Sequence, residues 1–375
     1  MKRPLKHYIR ECRARNKLRE CTAVYSVTNS QGFVPSTDYF SKEVYSKDLT
    51  NYKIVKRGMI AYNPSRVNVG SLAVQNAEEQ VVVSPLYVVI SVDETQLLPE
   101  YLCYFLHSDI SLKEIAAHTA GSVRDSLKFS ALQNIEITIR SVEDQRFIIR
   151  ILQKVEVLIN KRRQTLNKLD DLVKSQFIEM FGSIRDNRFN FPVGTIGQEC
   201  VLKSGTSLPV EVENEGGDIP YVKVGDMTYK GSEKYILESS HMVSQMTAES
   251  GLFPPGTIIF PKRGGAIGTN KKRITAIPIC ADLNIMAVIP GKRISAQYLY
   301  SYFLAIDLGK LNNGSTVPQI NNKDIAPLKI LVPPTERQDE FARFVEQTDK
   351  SKFRIKQNLE KLEILYKSLL QEYFG

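Results

Sequence analysis

The chain has 375 residues, 42% of them hydrophobic, with a net charge of +9 and a pI near 9.1. No run approaches the ~20 apolar residues of a membrane span. Five isolated cysteines (Cys12, Cys21, Cys103, Cys200 and Cys280), without a Cys-x-x-Cys pair, argue against a disulfide frame or zinc cluster and for a reducing cytoplasm. The basic Met1-Lys2-Arg3-Pro4 start has no apolar stretch behind it, so no secretory signal is expected. A basic chain of this size suits a polyanionic partner.

Residues 1–140 open irregular and basic through Arg19. Strand-like pieces follow at Cys21–Val27, Lys53–Tyr62, Ser71–Val74 and Val81–Val92, then a helix-like Pro99–Ser108 with an apolar stripe from Tyr101 to Leu106. Gly121–Gly182 comes next, and it lies on Gly314–Gly375 without a gap at an offset of 193. Gln145 meets Gln338, Arg150 meets Arg343, Lys168-Leu169 meets Lys361-Leu362, and Phe181-Gly182 meets Phe374-Gly375. A period of half the chain means a duplicated unit and not a solenoid.

Each copy reads as a long helix. Leu152, Val155, Ile159, Leu166, Leu169, Val173 and Met180 fall on alternating three- and four-residue steps, as do Val345, Thr348, Lys352, Leu359, Leu362, Tyr366 and Tyr373. That is a coiled-coil-like seam with polar interruptions at Arg162 and Lys352. No Pro or Gly falls between Gln145 and Phe181 or between Gln338 and Phe374. Such a helix of ~37 residues would be ~55 Å long. Ser141 with Asp144, and Thr335 after Pro333-Pro334, are the expected caps.

Residues 183–333 repeat the programme of the first region at an offset of 198. Gly256–Phe260 matches Gly58–Tyr62, Ile267-Gly268 matches Val69-Gly70, and Tyr302–Leu304 matches Tyr104–Leu106. The opening Phe191–Thr206 has no clean copy in the first region. Shared anchors with divergent content between them fit a duplicated recognition module, since specificity is written in loops.

His7, His107, His118 and His241 form no HExxH and no triad order. Asn63-Pro64-Ser65-Arg66 lacks the aromatic with which adenine methyltransferases hold a flipped base. Lys262–Lys271 is Gly-rich without fitting GxxxxGK[ST]. No active site is expected in the chain itself. What the chain does carry is cationic. Between Gly251 and Ala281 stand Lys262, Arg263, Lys271, Lys272 and Arg273, with Lys203 nearby in Lys203-Ser204-Gly205-Thr206. The stretch from Gly251 to Ala281 holds no Asp or Glu. Glycines let a backbone approach a phosphate, and Lys and Arg neutralise it. The first region offers a thinner set in Lys53, Arg57, Asn63, Arg66 and Asn68. Gly121–Arg124 and Gly314–Gln319 are further polar tips. The named cations with Asn63 and Asn68 are the expected DNA contacts.

These features together resemble a specificity subunit of a type I restriction-modification system. Gly314-Ser315-Thr316, leading through Ile330–Pro334 into Glu336-Arg337-Gln338 and a long helix, is close to the family pattern. The first copy has Arg140-Ser141 in place of Pro-Pro and keeps Gln145. The resemblance covers essentially the whole chain. It implies a mixed α+β fold: recognition domains at 1–140 and 183–333, and antiparallel coiled-coil spacer helices at 141–182 and 334–375. It implies that each domain reads one half of a split double-stranded DNA site. Two methyltransferase subunits would dock on the helices and bring S-adenosylmethionine. Motor-nuclease subunits would add ATP and Mg. The competing reading is a non-catalytic coiled-coil scaffold that binds proteins and reads no DNA.

Overall fold

The computed structural model describes residues 2–29, 31–39, 46–119, 126–213, 215–229, 231, 233–249, 251–311 and 317–375. The Gly121–Arg124 tip and Gly314-Ser315-Thr316 lie outside the described residues. The chain forms two compact units, Met1–Gln164 with Lys356–Gly375, and Thr165–Ile355.

In the first unit a four-stranded sheet runs in the order Ile9–Glu11, Val88–Val92, Ile60–Tyr62, Leu72–Val74, with all neighbours antiparallel. Ile60 and Tyr62 face one core and Ala61 another, so the strand is apolar on both faces and reads as an unbroken apolar run. The long apolar stretches of the sequence are therefore interrupted. Lys53–Lys56 and Ile60–Tyr62 are separate strands on separate sheets, parted by a turn in which Gly58 has φ +84°. Gly256 stands in the corresponding turn with φ +85°, a conformation that glycine adopts without steric cost. The helix Pro99–Leu106 buries Tyr101, Leu102 and Phe105 against the sheet.

In the second unit Cys200–Ser204, Ile285–Pro290, Ile258–Pro261 and Arg273–Thr275 repeat that strand order, with Tyr235–Ile236 added at the edge. The helix Ala296–Leu304 takes the part of Pro99–Leu106, capped by the Ser295 hydroxyl.

The irregular opening proves ordered. Lys2–Pro4 pairs with Glu136–Thr138, and Leu5 N–H donates to Ile135 O at 2.9 Å. Val193–Thr195 pairs in the same way with Lys329–Leu331, and Ile196 N–H donates to Leu328 O at 2.9 Å. The opening is thus repeated in structure though not in sequence. Backbone pairing, which any side chain permits, carries the likeness.

The long helices are Val142–Phe181 and Thr335–Phe374, 40 residues each and so about 60 Å long. Ser141 caps the first: its hydroxyl accepts from Asp144 N–H at 3.0 Å and donates to the Asp144 carboxylate at 2.7 Å. Thr335 is instead the first helical residue of the second. The Pro334 carbonyl there accepts from Arg337 and Gln338 N–H. The helices run antiparallel within each unit. In the first, Leu152 and Leu370 share one core and Arg163 pairs with Glu363 at 2.7 Å. In the second, Lys352 pairs with Asp170 at 2.6 Å, so this polar interruption of the seam is satisfied by an ion pair. Among the described residues no helix is long and apolar enough to cross a membrane.

Candidate nucleic-acid interface

In the second unit, Cys200–Ser204 and Ile258–Pro261 flank the strand Ile285–Pro290, and Ser204 and Phe260 both stand opposite Met286. The two strands therefore end at one rim of the sheet. The chain leaves the second of them through Lys262–Gly264, which lies along 318–320. Gly264 N–H donates to Pro318 O at 2.8 Å, and Ile320 N–H to Lys262 O at 2.9 Å. The Lys262 ammonium donates to Ser204 Oγ at 2.6 Å. Lys203, Ser204, Arg263 and Asn322 are exposed around it, and Gln319 is half-buried. Lys262 itself is only 7% exposed. Burial lowers the pKa of its ammonium and the neighbouring Arg263 lowers it further, whereas an anion beside it would favour the charged form.

The Gly-rich turn Gly264–Thr269 follows, ending at Asn270 in the left-handed region. Asn270 Oδ1 accepts from Leu308 N–H at 2.9 Å and from the Lys272 ammonium at 2.7 Å, and that ammonium also donates to Ile306 O at 2.6 Å. Lys272 is 2% exposed. It staples the turn to the segment behind it and is not presented at the rim with Lys262. Arg273 is half-buried, and its guanidinium donates to Lys272 O and Met227 O, both at 2.8 Å. Lys271 is half-buried beside them.

Burial pushes the pKa of Lys272 down to about 8, with Asp307 opposing. A base whose folded pKa is depressed destabilises the fold while it is charged. That cost disappears as pH rises from the folded value toward the unfolded one, ~10.4. Wild-type protein should therefore gain denaturant resistance relative to Lys272→Met between pH 7 and pH 9.5. Parallel curves for the two proteins would refute the assignment.

The first unit has the equivalent rim. Leu127 N–H donates to Pro64 O at 3.0 Å, in the place of the bond from Ile320 to Lys262. A groove of about 810 Å³ here is lined by Glu11, Arg13, Pro64, Ser126, Lys128 and Gln133, among others. Asn63 uses Oδ1 to accept Ser65 N–H at 3.1 Å, shaping the turn on which Arg66 and Asn68 stand exposed. Lys53 and Arg57 are not brought to this rim. They belong to the strand pair Lys53–Lys56 and Gln80–Val83 and the turn after it, where the Lys53 ammonium donates to Tyr87 O at 2.6 Å and Arg57 to Asn76 O at 3.3 Å. Arg13 and Lys128 are the residues that sequence reasoning missed. Lys128 had no counterpart signal, since the repeat offset sets it on Asn321. Arg13 had no signal, because its segment was read as irregular.

Each rim offers cations, amides and hydroxyls, groups suited to phosphates and base edges. Among the described residues no cluster of His, Cys, Asp or Glu is arranged to hold a metal ion.

Two copies of one mixed domain, each with a basic amide-bearing rim and each carried on paired antiparallel helices, define a tandem recognition protein. The chain belongs to the family of the type I restriction modification DNA specificity domain, whose model matches residues 26–169 and 190–364. It is 26% identical over 275 residues to the type I restriction enzyme MjaIX specificity subunit of Methanocaldococcus jannaschii, an alignment covering 67% of this chain and 62% of that subunit. The chain thus spans less than two thirds of that relative's length. It is 17% identical, with a TM-score of 0.57, to the type I restriction-modification S subunit from M. genitalium, covering 100% of this chain and 96% of the other. A chain solved in work on complex assembly and conformational transition of the type I R-M system is also 17% identical, with a TM-score of 0.56 and coverage of 100% and 97%. These two likenesses bear out the tandem α+β fold with its long antiparallel helices.

Proposed function

We propose that this chain is the DNA sequence-specificity subunit of a type I restriction-modification complex, each unit reading one half of a bipartite site. The observation that carries this reading is the recurrence of one rim at one place in two units of divergent surface. Lys203, Lys262 and Arg263, with Gln319 and Asn322, form the second reading surface. Arg13, Lys128, Arg66, Asn68 and Asn63 form the first. Residues 1–140 and 183–333 are the recognition domains, and 141–182 and 334–375 are the spacers that set the gap between half-sites. A helical turn of DNA is ~34 Å, within the reach of helices of this length. Phe147, Ile178, Phe353 and Ile364, exposed on the long helices, favour protein docking there. Two methyltransferase subunits are the expected occupants, bringing S-adenosylmethionine and the chemistry. Motor-nuclease subunits would bring ATP and Mg, and the whole would work in the cytoplasm.

The test is to co-express the chain with its methyltransferase and map methylated adenines in host DNA. A split motif with a fixed gap is expected. A soluble, co-purifying complex that adds no methylation would overturn the proposal and favour the scaffold reading. Exchanging residues 183–333 for those of a relative should replace one half-site and leave the other intact; replacement of both would contradict independent reading.

A further inference from the structure

One side chain recurs at the root of both units. Gln145 and Gln338 are fully buried, and each spends its whole amide on backbone. Gln145 Oε1 accepts from Leu98 N–H at 2.8 Å, and its Nε2 donates to Gln96 O at 2.7 Å and Arg140 O at 3.0 Å. Gln338 Oε1 accepts from Ser295 N–H at 2.7 Å, and its Nε2 donates to Arg293 O at 2.8 Å and Pro333 O at 2.9 Å. The same three pieces of chain are joined each time: the approach to the long helix, the segment after the sheet's central strand, and the residue capping the short helix. A planar amide with three fixed bonds sets directions, which apolar packing does not.

A second attachment stands eleven residues further along each long helix, about 16 Å away. Glu156 accepts from the Tyr104 hydroxyl at 2.7 Å, and Asp349 accepts from the Lys234 ammonium at 2.5 Å. The carboxylate position is common to both units, while its partner is private to each.

We propose that Gln145 and Gln338 are positioning residues that fix the tilt of each recognition domain on its helix, and through it the permitted gap between half-sites. This rests on the proposed function. The glutamines touch no DNA. Their loss is expected to blur the gap without changing the bases read.

The test uses the full chain co-expressed with its methyltransferase, with methylated adenines mapped across the genome. Wild type should methylate one gap length. Gln338→Met should keep both half-site sequences yet spread methylation to gaps one base pair longer and shorter, with at least a tenfold loss of preference for the parent gap. Asp349→Asn, which alters the part-exposed second attachment, should broaden the gap in the same sense but less, and decides the matter if Gln338→Met does not fold. Retention of the parent gap alone by whichever variants fold, at full or uniformly lowered methylation, would overturn the positioning role. Absence of a bipartite motif in wild type would instead remove the function on which it rests.

Discussion

Phe341→Ala is expected to destabilise the second unit by about 3–5 kcal/mol, the range for deleting a buried phenylalanine ring. Phe341 is fully buried, with its ring centroid 5.5 Å from those of both Phe177 and Phe181. Phe181 stacks edge-on to Tyr298 at 4.7 Å, and the Tyr298 hydroxyl donates to Leu331 O at 2.9 Å. One ring cluster thus ties the end of the first long helix, the start of the second, the short helix and the last strand. Removing the ring at its centre loses apolar burial and leaves a cavity that aromatic neighbours fill poorly. In denaturant the variant should show an early transition absent from wild type, because the two units need not melt together. Leu172→Ala, at a site 45% exposed, should stay within about 0.5 kcal/mol of wild type. A Phe341→Ala curve that overlays wild type would contradict the packing account.

The second large effect is on DNA. Replacing Lys262 and Arg263 together with alanine should lower affinity for the cognate site in the assembled methyltransferase by about 10- to 100-fold near 0.1 M salt. If each contacts a phosphate, the slope of log affinity against log salt should fall by about 1.8. Arg57→Ala serves as the contrast, since its guanidinium lies away from the rim, near Glu79 at 3.8 Å. It should leave affinity and slope unchanged. An unaltered slope in the double variant would take this rim out of the interface.

The long helices were legible in the sequence because the seam recurs over about eight turns and no Pro or Gly breaks it. Leu152, Val155 and Ile159 are buried where the spacing puts them. The fold of the opening was not legible, since Lys2–Pro4 and Val193–Thr195 share a backbone role and no side chains. The candidate rim was half legible. Charge composition pointed to the segment around Lys262 but did not separate a lysine facing solvent from one turned inward. Lys272 and Arg273 look like surface cations in the sequence. Their bonds to Ile306 O and Met227 O depend on segments more than 30 residues away.

The composition of the units bears on the order of synthesis. The second unit is one unbroken stretch, whereas the first needs Lys356–Gly375 to complete it. On the ribosome, where folding proceeds by domains as they emerge, residues 165–355 can close first. Tyr101 and Phe105, which pack on Phe374 with ring centroids at 5.0 and 6.0 Å, must wait until Phe374 has emerged. The first unit is therefore finished after the second. A chain released early would display a complete second unit beside a first one with its core open, a ready substrate for proteolysis and chaperones.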